Sequence, residues 1–269
     1  MRDSNEKPKS LQTVTAAALI AQFDQLLDTR PTLLAFDADG TLWSGDVSDD
    51  VFLDACRENW LLDDARLALK TLAESLGISG AGNASEIGLR LLDASQRGLL
   101  EESMLFASMT WCYAGRTIQE LTDHAATVLS RKSLPLRLRT ELMGVLEWAA
   151  RRAVRCVVVS ASPQPIVEWG AAQCGFASNL VIGTSPMILD GVISDHLVEP
   201  VPVSAHKCEC LKRHSGGHRV LAAFGDSIYD FEMLDIAEIA VAVRPKPALH
   251  SRLLRTSRAN VLDMEVLAP

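Results

Sequence analysis

The chain has 269 residues, 48% of them hydrophobic and 22% charged, which is enough for one α/β domain of ordinary size with a smaller one inserted. Its formal net charge of -8 and pI near 5.3 argue against a nucleic-acid backbone or an anionic membrane as the main partner, because both favour basic surfaces. The segment Met1 to Ser10 is polar, and no later run approaches the roughly 18 uninterrupted apolar residues of a membrane span, so neither a signal peptide nor an anchor is expected. Six cysteines (Cys56, Cys112, Cys156, Cys174, Cys208, Cys210) show no CxxC pair and sit mostly in apolar runs, which fits a reducing, cytoplasmic setting.

Leu11 to Leu27 is rich in Ala, Leu and Gln, with Phe23, Leu26 and Leu27 at helical spacing. It predicts a lead-in helix that Thr29-Arg30-Pro31 ends. Leu33-Leu34-Ala35-Phe36 is apolar throughout and too short for a helix, so it predicts a strand buried on both faces, stopping at Asp37-Ala38-Asp39-Gly40-Thr41. The same grammar returns twice. Cys156 to Val159 ends in Ser160-Ala161-Ser162-Pro163, and Val220 to Phe224 ends in Gly225-Asp226-Ser227. A helix is expected after each, the one after Ser160 with Ser162 as N-cap and Pro163 at its first position.

Strands alternating with helices predict an α/β fold, a doubly wound parallel sheet covered on both faces. Ligands bind such sheets outside the carboxyl ends of the strands, so Asp37, Ser160 and Asp226 are expected to meet in one cleft. The stretch between the first two strands is far longer than one crossover needs and reads as mostly helical. The expected division is therefore a core of residues 1–47 and 133–269 with an inserted helical cap over 48–132. Between Leu180 and Ile193 two β-rich runs flank Asp190-Gly191, a hairpin signal, and Ile239 to Val243 reads as the last strand.

Two carboxylates at Asp37 and Asp39, just past a buried strand, repel each other unless a cation or proton resolves the pair. Magnesium resolves it most simply, held by Asp37, the backbone carbonyl of Asp39, and Asp226. A phosphorus atom beside Asp37 could then be attacked in line by its carboxylate to give an aspartyl-phosphate, with Asp39 as general acid and base. Charge on the phosphoryl oxygens calls for donors: the Ser160 hydroxyl, amides near Asp39, Gly40 and Ala161, and one ammonium, for which Lys207 is the candidate. A calcium loop starting at Asp37 would need glycine and a carboxylate where Leu42 and Ser48 stand. His206, Cys210 and His214 share a helical face, but three ligands next to Lys207 read as an incidental face rather than a zinc site.

These motifs together resemble those of the haloacid dehalogenase superfamily, in particular its phosphoserine-phosphatase-like branch with a helical cap. Asp37-Ala38-Asp39-Gly40-Thr41, Ser160 at the end of its strand, Lys207, and Gly225-Asp226-Ser227-Ile228-Tyr229-Asp230 occur in the family's order. The resemblance implies a magnesium-dependent hydrolase acting on a small phosphorylated metabolite, with Asp37 as nucleophile and Asp39 as acid/base. It also implies Thr41 and Ser160 as phosphate contacts, Lys207 as charge stabiliser, Asp226 as metal ligand and Asp230 as a supporting carboxylate. Phosphoserine-specific relatives place an acidic residue where Asp46 stands and a cap arginine whose place falls on Met109 when the chains are aligned on Gly98. A methionine cannot pair a carboxylate, so Arg90, Arg97 or Arg116 would have to do so from elsewhere. Those relatives also often carry Asn at the position of Tyr229, and the run Met104, Phe106, Met109, Trp111, Tyr113 reads either as cap core or as a less polar substrate pocket.

The same intermediate would also serve a phosphotransferase or phosphomutase, or a protein phosphatase if the cap opens wide. A halide-removing relative has no need of Asp39 or the metal, and a silent binding protein would be expected to have lost one of the charged residues. Neither a nucleic-acid nor a membrane partner is expected, and homo-oligomerisation is left open.

Overall fold

The computed structural model describes residues 11–256 and 261–264. β2 (Thr32–Phe36) is buried at every position, as an apolar run without alternation requires. It lies between β3 (Arg155–Pro163) and β7 (Arg219–Gly225), parallel to both. β4 (Val181–Thr184) extends the sheet beyond β3, while β8 (Ile239–Val243), β9 (Val261–Met264) and β1 (Gln12–Thr13) extend it beyond β7, giving the order β1-β9-β8-β7-β2-β3-β4. Every neighbouring pair in this sheet is parallel.

The side-chain alternation of β2 explains the double covering. Leu34 and Phe36 belong to one core with Leu19 and Phe23 of α1 (Ala16–Leu26), Leu142, Val145 and Trp148 of α7 (Thr140–Arg151), and Ile166 and Val167 of α8 (Gln164–Ala172). Leu33 and Ala35 point to the other face, against Leu211 of α9 (Ala205–His214), Met233 and Leu234 of α10 (Phe231–Ile236), and Leu249 and Leu253 of α11 (Pro247–Leu254). The Phe36 ring stacks on Phe224 of β7 with centroids 4.4 Å apart, so Phe36→Ala is expected to cost about 3–5 kcal/mol.

Between β2 and α7 lie α2 (Val47–Arg57), α3 (Asp63–Ser75), α4 (Ala84–Gln96), α5 (Glu102–Trp111) and α6 (Ile118–Arg131). Three of these five helices start at side-chain caps. Asp46 caps α2 by accepting from the amides of Ser48 and Asp49, and α4 and α6 begin in capping boxes, Asn83 with Glu86 and Thr117 with Glu120. The chain enters and leaves this helical insert side by side: the Ser44 amide donates to Arg137 O at 2.9 Å and the Arg139 amide to Leu42 O at 2.8 Å. A hairpin of β5 (Pro186–Leu189) and β6 (Val192–Leu197) turns at Asp190-Gly191, both with positive φ, as the Asp-Gly signal requires. Its Ile193 exchanges backbone hydrogen bonds with Gly115 and Arg116 of the insert, at 2.9 and 2.7 Å.

Several expectations are corrected. The lead-in helix starts only at Ala16, because residues 12–13 pair with β9. Ile239–Val243 is not the last strand, since β9 follows it. Ser162 is not a helix cap: β3 runs on through Pro163, which itself precedes α8 without a side-chain cap, and the Ser162 hydroxyl is used elsewhere. Among the described residues no helix is long and apolar enough to cross a membrane, and all six cysteines are free thiols. Burial pushes the Cys56, Cys156 and Cys174 thiols up to about 12.

Candidate active site

β3 and β7 flank β2 on opposite sides, so the segments leaving their carboxyl ends converge around the turn after Phe36. The Asp37 amide donates to Phe224 O at 2.9 Å, and the amides of Thr41 and Leu42 both close onto Ala38 O. That tight turn returns the Thr41 hydroxyl to Asp37 Oδ2, at 2.9 Å. Gly40 makes the turn possible: its φ is +84°, and a Cβ there would collide with the Asp226 carboxylate.

Lys207, 3% exposed, enters from the first turn of α9 and places its ammonium 2.7 Å from Asp37 Oδ1 and 2.5 Å from Asp230 Oδ1. Burial works against its charge, but Asp230 and Asp37 outweigh that and raise its pKa. The other oxygen of Asp230 accepts from the amides of Asp226 and Ser227 and from the Ser227 hydroxyl, at 3.0, 2.9 and 3.1 Å. Asp230 therefore braces both the Asp226 turn and Lys207. Asp226 itself accepts from the Lys246 ammonium at 3.1 Å, and the Lys246 amide donates to Asp226 O at 2.7 Å.

Asp39 points another way. Its Oδ1 accepts from Trp43 Nε1 and the Val47 amide, each at 2.8 Å, and its Oδ2 from the Ser162 hydroxyl at 2.6 Å. Ser48 in turn donates to Ser162 at 2.5 Å, and the Ser162 amide donates to Ser160 Oγ at 3.1 Å. Thus the extension of β3 past Val159 orients both the Ser160 hydroxyl and the Asp39 carboxylate.

Burial pushes the carboxyls up. Asp37 rises to about 7 through desolvation and then the charge of Asp230, with Lys207 opposing. Asp39 rises to about 7 through desolvation and the charge of Asp46, opposed by its three donors. Asp46 and Asp226 also reach about 7, again from burial first and then from the neighbouring carboxylates Asp49 and Asp37 respectively.

Oxygens of Asp37, Asp226 and Asp230 lie within 4.8 Å of one another. An all-oxygen donor set, in which burial first and neighbouring carboxylates second raise the pKa of Asp37 and Asp226, suits a hard divalent cation such as magnesium. Asp37 and Asp226 fit as ligands; Asp230 has both oxygens committed to donors and fits better as their support. His206 and His214 are engaged with Glu209 and the Cys210 carbonyl, and among the described residues no metal-binding group forms around them.

A cavity of about 60 Å³ is lined by Asp37, Asp39, Asp46, Ser160, Ala161, Lys207 and Asp226, which sequence reasoning had singled out. Thr41, Gly40 and Asp230 stand behind it, contacting Asp37, Asp226 and Lys207. The cavity is also lined by Ser162, Lys246, Tyr229 and, from α5 of the insert, Glu102 and Phe106. Lys246 was findable, because it follows the end of a parallel strand; Ser162 was hidden by its resemblance to a helix cap.

The family model for haloacid dehalogenase-like hydrolases matches residues 34–235. No curated protein matches the sequence. Among solved structures, a protein of unknown function from Bordetella pertussis Tohama I superimposes with a TM-score of 0.64 at 19% identity, covering 88% of this chain and 99% of that one. A substrate-bound phosphoserine phosphatase gives 0.54 at 15% identity over 88% of this chain and 95% of its own. Cytosolic 5′-nucleotidase IIIB bound to cytidine gives 0.52 at 14% identity over 93% and 86%. At these identities the likeness is one of fold.

Proposed function

The chain belongs to the haloacid dehalogenase-like hydrolases, and on that footing we propose that it is a magnesium-dependent phosphatase that hydrolyses a small phosphomonoester through an aspartyl-phosphate on Asp37. The observation that carries this reading is the placing of two carboxylates with different partners at one strand end. Buried Asp37 is held against an ammonium and a hydroxyl, and half-buried Asp39 against three donors that oppose the upward push of desolvation and of Asp46 on its pKa.

In the first half-reaction a carboxylate oxygen of Asp37 forms a bond to phosphorus while the ester P–O bond breaks, and Asp39 gives its proton to the departing alkoxide. In the second, Asp39 takes a proton from water, the water oxygen bonds to phosphorus, and the acyl-phosphate P–O bond breaks to release phosphate and restore Asp37. Lys207 and the Ser160 hydroxyl offset negative charge on the phosphoryl oxygens, and Thr41 keeps Asp37 oriented. Asp37, Asp226 and the Asp39 carbonyl would hold the cation, which when bound supplies charge neutralisation for the carboxylates and the phosphoryl group. Residues 48–132 would act as the lid that excludes water from the intermediate.

The test is phosphate release from a panel of phosphomonoesters, with magnesium and with EDTA. Magnesium-dependent release supports the reading; turnover that appears only with an added acceptor would make the chain a transferase.

A further inference from the structure

Resting on that phosphatase reading, we propose that the substrate is a phosphomonoester whose leaving group carries an alkylammonium and no carboxylate, received by Glu102 with Phe106 and Tyr229. The insert contributes two side chains to the cavity, Glu102 and Phe106, both half-buried. Tyr229 reaches the same cavity from the Asp226 turn, and its phenol is pushed up to about 12, first by burial and then by the Glu102 carboxylate beside it. A carboxylate with two aromatic rings is a receptor for an ammonium, which gains Coulomb attraction from the one and quadrupole attraction from the others.

The charge around the cavity points the same way. Five carboxylates line it (Asp37, Asp39, Asp46, Asp226 and Glu102) against the ammonium groups of Lys207 and Lys246. Lys207 is bound to Asp37 and Asp230, and Lys246 to Asp226. A leaving group bearing a carboxylate would meet Asp46 and Glu102, with no arginine among the described lining residues to pair it. The arginines that could have served are committed: Arg90 to the carbonyls of Ser79 and Ala81, Arg97 to Asp93, and Arg116 to Trp60 and Glu120. Met109 is fully buried in the core and reaches nothing in the cavity.

The experiment compares kcat/KM for phosphoethanolamine, n-propyl phosphate and phosphoglycolate, esters of similar size whose leaving groups end in a cation, a methyl and an anion, with p-nitrophenyl phosphate as a control for hydrolytic competence. The wild type is expected to favour phosphoethanolamine over n-propyl phosphate by about tenfold or more and to turn over phosphoglycolate least. Glu102→Gln should lower the first ratio toward one, mainly through KM for phosphoethanolamine, and Glu102→Arg should raise phosphoglycolate above it. Hydrolysis of p-nitrophenyl phosphate without an ammonium preference, or a preference that survives Glu102→Gln, overturns this inference and leaves the phosphatase reading standing. No release from any of the four esters overturns both.

Discussion

Ser162 Oγ donates to Asp39 Oδ2 at 2.6 Å, joining the end of β3 to the turn after β2. Ser48 completes the relay from the first turn of the helical insert, so the orientation of Asp39, the proposed acid/base residue, depends on core and insert together. Because the Ser162 hydrogen bond favours the ionised carboxylate, it holds the Asp39 pKa down. Ser162→Ala should therefore raise that pKa, move the basic limb of the kcat/KM profile to higher pH and lower kcat by about tenfold to a hundredfold. A pH–rate profile checks this: a lowered rate with an unmoved limb would assign Ser162 to packing alone.

Lys207→Ala removes the one ammonium that bridges Asp37 and Asp230, leaving two buried carboxylates facing each other. Breaking a buried pair in this way is expected to cost about 3 kcal/mol or more, a fall in Tm of roughly 6–12 °C for a domain of this size. Thermal unfolding measures it. Activity should fall with stability, whereas Asp226→Asn should lose activity while keeping the fold, since it lessens the crowding of charge.

The aspartates around the cavity also set how stability follows pH. Asp37, Asp39, Asp46 and Asp226 have folded-state values near 7, well above the ordinary carboxyl value, so between about pH 4 and 7 the folded chain binds more protons than the unfolded one. Stability then falls as pH rises through that window. The metal-free protein should melt at a lower temperature at pH 8 than at pH 5. Magnesium, which competes with those protons, should raise Tm more at pH 8 than at pH 5. Calorimetry with and without EDTA reads both effects; a larger magnesium shift at pH 5 would contradict the assignment of the cation to these carboxylates.

Much of the architecture was legible because buried parallel strands have an unmistakable pattern: β2, β7 and β8 are short and mostly apolar, and β2 and β7 lead directly into Asp37 and Asp226 of the cleft. The cleft was legible for the same reason, since a parallel sheet brings its carboxyl ends to one side. What escaped were features set by tertiary register. β1 and β9 are a two-residue and a four-residue strand that exist through pairing with each other and with β8, and neither carries a strong local signal. Ser162 followed by Pro163 has the local chemistry of a helix start, yet pairing of Pro163 with Thr184 keeps it extended. Alignment placed Met109 at a substrate-facing position, whereas α5 turns it into the core and presents Glu102 and Phe106 instead. Met109→Arg should consequently destabilise the fold by burying an unpaired charge rather than redirect specificity.

The proposed aspartyl-phosphate can be trapped. When the protein is quenched in acid during turnover and then treated with borohydride, an acyl-phosphate at residue 37 is reduced to the alcohol, and peptide mass spectrometry locates it. The account predicts reduction at Asp37, dependent on substrate and magnesium and absent from Asp37→Asn, whose turnover should drop by about a thousandfold or more. Steady phosphate release by the wild type with Asp37 never modified, or undiminished release by Asp37→Asn, would contradict it.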